Sequence, residues 1–394
     1  MTNLLRNAVI KFRKHDSNTQ FETAPSTSPA EYFLEPLNSL LPVDGVTKLE
    51  KDIIRGDNHY STFEVGPQEA TLALELLVRG INGNDGGSAA TYATKTEIGQ
   101  ILDVICGVDG NDDGVAGGSD VVTNATPDIT VDPGEGSDYT IGNAVLFNTG
   151  TEWVAREITG IATDTLTMDR GWSGTATSAN IVPSASWYLD AADPSHTHAY
   201  FLVESDGTTS ATEWGRALFG CMSSATLNVP NGGLVTLSTD WQTTKFTSPA
   251  HSSLTFSAPT VGDEIVAIDS PFFIGSTQTD LIELSVDFGL ELQKHQTYDG
   301  TNGFSGYKVI RKRPVITGKI YYNQTTMATL QGATAQDLAV QLGRSGAGAM
   351  YVRMPAASIE SATRSDFNGQ EAIDFVAVGT RPSAGNGALR IHLF

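Results

Sequence analysis

Ile282, Leu284, Val286, Phe288, Leu290 and Leu292 alternate strictly with other residues in DLIELSVDFGLELQ. Side chains two apart share one side of a strand but scatter around a helix, so this run dictates an extended chain with one apolar side. A strand of that length has edges to pair, which places it within a sheet. After the loop KHQTYDGTNGFSG, the segment GYKVIRKRPVITGKIYY keeps one parity at Ile316, Ile320 and Tyr322, predicting a long hairpin in which Pro314 marks a bulge or an edge. Further strands fit GLVTLST, SLTFS, DEIVAI, AMYVRM, AIDFVAV and ALRIHLF.

Three segments carry helical spacing. In TKTEIGQILDVICG, Thr94 and Glu97 have capping-box separation, Ile98, Ile101, Leu102 and Ile105 fall on one face, and Gly107 supplies a left-handed stop. In TEWGRALFGCM, Trp214, Ala217, Leu218 and Cys221 repeat the spacing, and Thr-Glu-x-Gly opens both segments. A third helix is expected at TAQDLAVQLG, with Thr334 and Asp337 resembling a cap and Leu338 and Leu342 on one face.

At 394 residues the chain exceeds one average domain, which favours one large domain carrying an insertion. Between Lys95 and Arg156 no basic residue occurs while eleven acids accumulate, in Gly-rich text such as GVDGNDDGVAGGSD. Residues 108–127 therefore read as an acidic connector, and YTIGNAVLF, EWVAREI, TDTLTMD and IVPSASWYL as short strands of an inserted small β-barrel or sandwich module at 128–192. Residues 1–107 and 193–394 form the main, discontinuous β domain, with 1–30 as an extended arm whose removal is expected to leave a folded subunit unable to polymerise.

The net charge of −21 is unevenly placed: residues 15–270 hold 35 acids against nine bases, while 271–394 hold 10 against 11. Such acidity opposes tight nucleic-acid binding, which relies on Lys and Arg displacing counterions. No apolar run approaches the roughly 20 residues needed to cross a bilayer, so no membrane partner is expected. Cys106 and Cys221, outside any metal-binding spacing, read as buried reduced thiols.

Enzyme motifs are nearly absent. GWSG, GFSG and GRSG do not complete a nucleophile elbow and read as turns. The pair His196 and His198 lacks a nearby third ligand and reads as packing or surface histidines. The best ligand-site candidate is DGNDDGVAGGSD, where Asp109, Asn111, Asp113 and Asp120 have the spacing of a calcium loop, although Asp replaces the closing Glu and no helical text follows. Calcium is therefore the one cofactor worth testing. Arg311, Lys312 and Arg313, with Lys308 and Lys319, form the densest basic patch beyond the arm, suited to pairing with acids of a neighbouring subunit.

Across residues 1–107 and 193–394 the order of features resembles the tail tube proteins of long-tailed bacteriophages. The likeness rests on FETAPSTSPAEYF, KLEKDIIRGDNHYSTFEVGPQEATLALELLVRG, ATLNVPNGGLVTLSTD, the long strand with its returning partner, and GAMYVRMPAASIESATRSDFNGQEAIDFVAVG. The resemblance implies a mainly β fold with a few short helices, a sandwich of two antiparallel sheets with a flanking helix. It also implies hexameric rings that stack into a tube in a virion tail assembled in the host cytoplasm, with other tail proteins and the chain itself as partners. DNA would pass through an acidic lumen without specific binding. On that reading Ile282, Leu284, Val286, Arg311, Lys312 and Arg313 are candidate inter-subunit residues. The module departs from minimal tube proteins and is expected to face outward. Competing readings are another virion structural protein, such as a capsid or tail-terminator subunit, and a calcium-dependent β-sandwich adhesin.

Overall fold

The structure, a computed structural model, describes residues 8–15, 32–34, 36–37, 42–49, 64–80, 97–107, 111–112, 121–176, 181–189, 198–205, 215–247, 263–268, 270–296, 304–332, 334–345, 348–381 and 387–394. The chain is mainly β, and every strand pairing within its sheets is antiparallel.

One sheet runs in the order Val43–Leu49, Glu64–Leu77, Thr236–Thr243, Gly215–Val229, Leu281–Asp287, Val315–Tyr321, Gln370–Gly379 and the far half of Gly348–Phe367. Its inner side is apolar at period two: Leu72, Leu74 and Leu76, then Leu237 and Trp241, Leu284 and Val286, Ile316 and Ile320, Ile373 and Phe375. Alternation of this kind is what commits these segments to a half-buried sheet. Gly318 leaves room for a ring, since a Cβ there would lie 2.6 Å from Cζ of Phe375.

The alternating run of residues 281–292 is extended as expected, but it is two strands, Leu281–Asp287 and Leu290–Gln296, broken at Gly289. Gly289 has φ +62°, and a Cβ would meet the Arg313 carbonyl at 1.7 Å, so only glycine permits the bend. Beyond it Leu290–Gln296 pairs with Phe304–Lys312, completing the predicted hairpin.

A second sheet closes the sandwich. It is built from Phe272–Ile274, Gln336–Ser345, the near half of Gly348–Phe367, Arg390–Leu393, Ala185–Tyr188 and Asn111–Asp112. Leu338, Val340, Leu342, Met350, Val352, Met354, Ile391, Leu393 and Trp187 point from it into the shared core. The long strand Gly348–Phe367 changes partners along its length and so ties the two layers together, while Gly215–Val229 joins the first sheet to Ala199–Ser205.

The helix Glu97–Cys106 forms as predicted and stops at Gly107, whose φ is +80°. It is buried throughout. Lys14 Nζ donates to Asp103 Oδ2 at 2.8 Å and Trp187 Nε1 to Oδ1 at 2.8 Å, so this one carboxylate joins the helix to two strands. Ala8–Lys14 is itself a strand, paired with Ala199–Ser205 and Tyr32–Leu34, and Ile10 and Phe12 are buried in the core. That part of the expected arm is structural, so truncation at residue 30 removes core rather than a free extension.

The two other expected helices are strands. In Gly215–Val229 a bulge places two residues, Phe219 and Gly220, opposite Tyr200, because Leu218 pairs with Phe201 and Cys221 with Ala199. The extra residue turns both Leu218 and Cys221 inward at a spacing of three, imitating a helix face. In Gln336–Ser345 the spacing of four between Leu338 and Leu342 satisfies period two as well, and Val340 completes the alternation. A short helix that the sequence reading missed, Gln324–Leu330, is capped by Asn323, whose Oδ1 accepts from the Thr325 N–H at 2.9 Å.

The inserted module is a separate six-stranded sheet: Thr123–Ala125, Asp128–Thr130, Ala144–Asn148, Trp153–Ala162, Thr165–Met168 and Val182–Pro183. It has its own core around Ile129, Phe147, Val154, Ile158 and Leu166. Its limits differ from those expected. Val121 and the strand at 123–125 belong to it, whereas Ala185–Tyr188 belongs to the second sheet. Asp112 lies opposite Ala185 and Asn111 opposite Ser186, so the chain enters and leaves the insertion through one paired neck.

Candidate functional site

Two surfaces of the sandwich carry features beyond packing. The first is the outer side of the first sheet. Following the register outward from the core positions, one side presents Ser224, Thr226 and Asn228, then Glu283, Ser285 and Asp287, then Thr317 and Lys319, then Asp374 and finally Ser361 and Thr363. Asn228, Ser285, Thr317 and Ser361 line a shallow open groove of about 340 Å³. Carboxylates Glu75, Asp240, Glu283, Asp287 and Asp374 stand on this side. Lys319 lies between two of them, with Nζ 3.5 Å from Glu283 Oε1 and 3.4 Å from Asp374 Oδ1.

Both ends of this sheet are open among the described residues. Val43–Leu49 pairs with Glu64–Leu77 alone, and Ser358–Phe367 pairs with Gln370–Gly379 alone. A bulge lies between Ile359 and Ser361, and Glu360 there meets the Arg313 guanidinium. A charged bulge blocks indiscriminate pairing along an edge while leaving the strand beyond it available.

The second surface is the side of the second sheet turned away from the core, and it is covered by the module. Ala144, Leu146, Ala155, Val182 and Trp153 pack against Ala339, Ala349, Tyr351 and Phe394. Gln341 reaches across, its Oε1 accepting from the Ala155 N–H at 2.9 Å and its Nε2 donating to the Trp153 carbonyl at 2.8 Å. Beside this apolar strip lies a buried charge cluster. Arg353 clasps Asp337 through Nε and Nη2 at 3.0 and 2.9 Å, and its Nη1 donates to Glu157 Oε1 at 2.8 Å. Arg390 also donates to Glu157. Asp169 Oδ2 accepts from the Tyr351 hydroxyl at 2.6 Å and from Arg170 Nε at 2.9 Å, while Arg170 Nη2 reaches Asp337 at 3.0 Å. The guanidinium groups of Arg156 and Arg170 lie 5.0 and 4.9 Å from the Phe273 ring centroid.

Burial pushes the Asp169 carboxyl up, but Arg170, Arg353, the Tyr351 hydroxyl and Arg156 outweigh it and hold it below the usual carboxylate range. His392 is fully buried, with Nδ1 2.8 Å from Ser186 Oγ and Nε2 3.6 Å from Glu157 Oε2. Burial pulls its pKa down, helped by Arg390 and Arg353 and opposed by Glu157. It is therefore a neutral ring at neutral pH.

The residues singled out in the sequence fall as follows. Ile282, Leu284 and Val286 are 2%, 3% and 0% exposed, and their strand lies between two others. They are core of their own chain, which corrects the expectation that they meet a neighbour. Arg311 and Arg313 are exposed and Lys312 half-buried, and the acid partner of Arg313 is Glu360 of the same chain. Asp109, Asp113 and Asp120 lie outside the described residues, and the Asn111 backbone belongs to the paired neck. Among the described residues no group of three or more His, Cys, Asp or Glu is placed to hold a metal ion.

His196 lies outside the described residues. His198 is buried, and burial followed by the neighbouring His15 lowers its pKa to about 4. Cys106 and Cys221 are free and buried as expected, burial pushing the Cys106 thiol up to about 12 and the Cys221 thiol higher than its ordinary value. Ser305 and Ser345 stand in strands rather than turns, beside Gly306 and Gly343 whose positive φ accommodates register shifts.

The charge cluster was not anticipated. Its trace in the sequence is the alternation Arg390, Ile391, His392, Leu393 and Met350, Tyr351, Val352, Arg353, which marks one polar side on each strand. Nothing in those letters shows that the polar side is covered. Compared with protein-family models and with curated protein sequences, the chain matches none. No helix among the described residues is long and apolar enough to cross a membrane.

Proposed function

We propose that this chain is a structural, non-enzymatic virion protein whose copies join through the open edges of the first sheet into rings that stack as a phage tail tube. The observation that carries the reading is that sheet: eight antiparallel strands, one apolar side buried, one polar and acid-leaning side turned away from the core, and at each end a strand with one open edge among the described residues. Exposed edges promote association, and joining one edge of a copy to the opposite edge of the next is a heterologous contact, which generates a ring when the rotation between copies closes. In such a ring the polar side lines the interior. A surface of hydroxyls and carboxylates repels a polyanion rather than holding it, which suits a passage for DNA. The module packs on the far side of the sandwich from that surface, so it decorates the outside and leaves the passage open.

Proline scanned through residues 361–365 tests the edge contact. Positions whose N–H faces the open side accept proline without loss of fold, because Pro removes only a donor that the free subunit does not use. Those variants are expected to stay as folded single subunits by sedimentation while the parent chain assembles. Assembly undiminished at every position would contradict pairing through this edge.

A further inference from the structure

We propose that the seam between the module and the second sheet is an acid-sensitive latch: protonation of His392 releases the module, which swings about the neck at residues 111–112 and 185–186. The inference is independent of the tube reading, since it concerns one subunit. Three observations support it. The module has a sheet and core of its own, so it keeps its structure when it leaves the body. Its apolar contact with the body is a short strip, while charge and hydrogen bonding make up the rest of the seam. The two chain segments that join it to the body pair with each other, Asp112 opposite Ala185 and Asn111 opposite Ser186.

His392 is where a proton acts. From its own strand it faces Arg390, from Gly348–Phe367 Arg353 and the Tyr351 ring, from Ala185–Tyr188 Ser186 and the Tyr188 ring, and from the module Glu157. Two guanidinium groups and full burial oppose a positive ring, and Glu157 is already engaged by both arginines. In the released state the ring is solvated and titrates near the ordinary histidine value of about 6.5. The folded value lies below that, so docking is at full strength above pH 6.5 and weakens as the released form takes up a proton that the docked form refuses. One proton gives a change of about tenfold per pH unit in the docking equilibrium. Asp169, also held below its ordinary value, adds a second loss beginning below about pH 4.

The test is thiol labelling of the full chain with a disulfide reagent active in acid, the native Cys106 and Cys221 being buried and unreactive. Ala155→Cys places a thiol in the seam and Val145→Cys one in the module core. Expected is protection of both at pH 7.5, labelling of Ala155→Cys rising about fivefold between pH 6.5 and 5.5, and continued protection of Val145→Cys. Adding His392→Gln is expected to flatten the rise. Should that variant not fold, the onset decides alone, since a rise beginning only below pH 4 assigns the event to carboxylates and overturns the proposal. Equal labelling of both sites, or none at pH 5.5, overturns it too.

Discussion

The two sheets of the sandwich share one core and differ in what covers their outer sides. On the first sheet no other sheet covers the outer side among the described residues, and its polar residues are hydroxyls, amides and carboxylates that stand half-buried or exposed. On the second sheet the outer side carries Gln341, Tyr351, Arg353, Arg390 and His392, and each has to find a partner within the seam because the module excludes water. The same alternating pattern thus yields a tolerant surface in one place and an exacting one in the other. Covering decides which.

Several changes probe that contrast, beginning with the core both sheets depend on. Deleting residues 1–15 removes Ile10 and Phe12 from the core and the Lys14 partner of Asp103, and is expected to abolish cooperative unfolding followed by circular dichroism. A folded, assembly-deficient product would instead restore the arm to an external role. On the covered sheet, Glu157→Gln takes from Arg353 and Arg390 the one buried carboxylate they share. Denaturant titration should show a loss of about 3–5 kcal/mol, and a loss under 1 kcal/mol would mean that water reaches the seam. Gly318→Ala, on the inner side of the first sheet, drives a methyl against the Phe375 ring and is expected to cost about 1–3 kcal/mol by the same titration. Ser361→Ala, at an exposed position on the outer side of the first sheet, should change stability by no more than about 0.5 kcal/mol; a larger loss would show that this side is covered within the subunit.

Much of this architecture was legible from period-two patterning. The hairpin at 281–321, the helix ending at Gly107 and the presence of an inserted β module all follow from local spacing. The failures have local physical causes. A bulge at Phe219 and Gly220 put two inward residues three apart, and a spacing of four at Leu338 and Leu342 fits helix and strand alike. The helix at Gln324–Leu330 is too short to show periodicity and announces itself only through Asn323. For the functional surfaces less was legible. Ile282, Leu284 and Val286 were correctly read as one apolar side, but whether that side meets its own chain or another depends on pairings distant in sequence. The charged seam is likewise invisible locally, since Glu157 and Arg390 are 233 residues apart.

Electron microscopy of the purified full chain in negative stain tests the central claim most directly. Edge-to-edge closure of the first sheet predicts rings and hollow, regularly striated tubes with a stain-filled channel. Dispersed single subunits at every concentration, or closed shells without a channel, would contradict it.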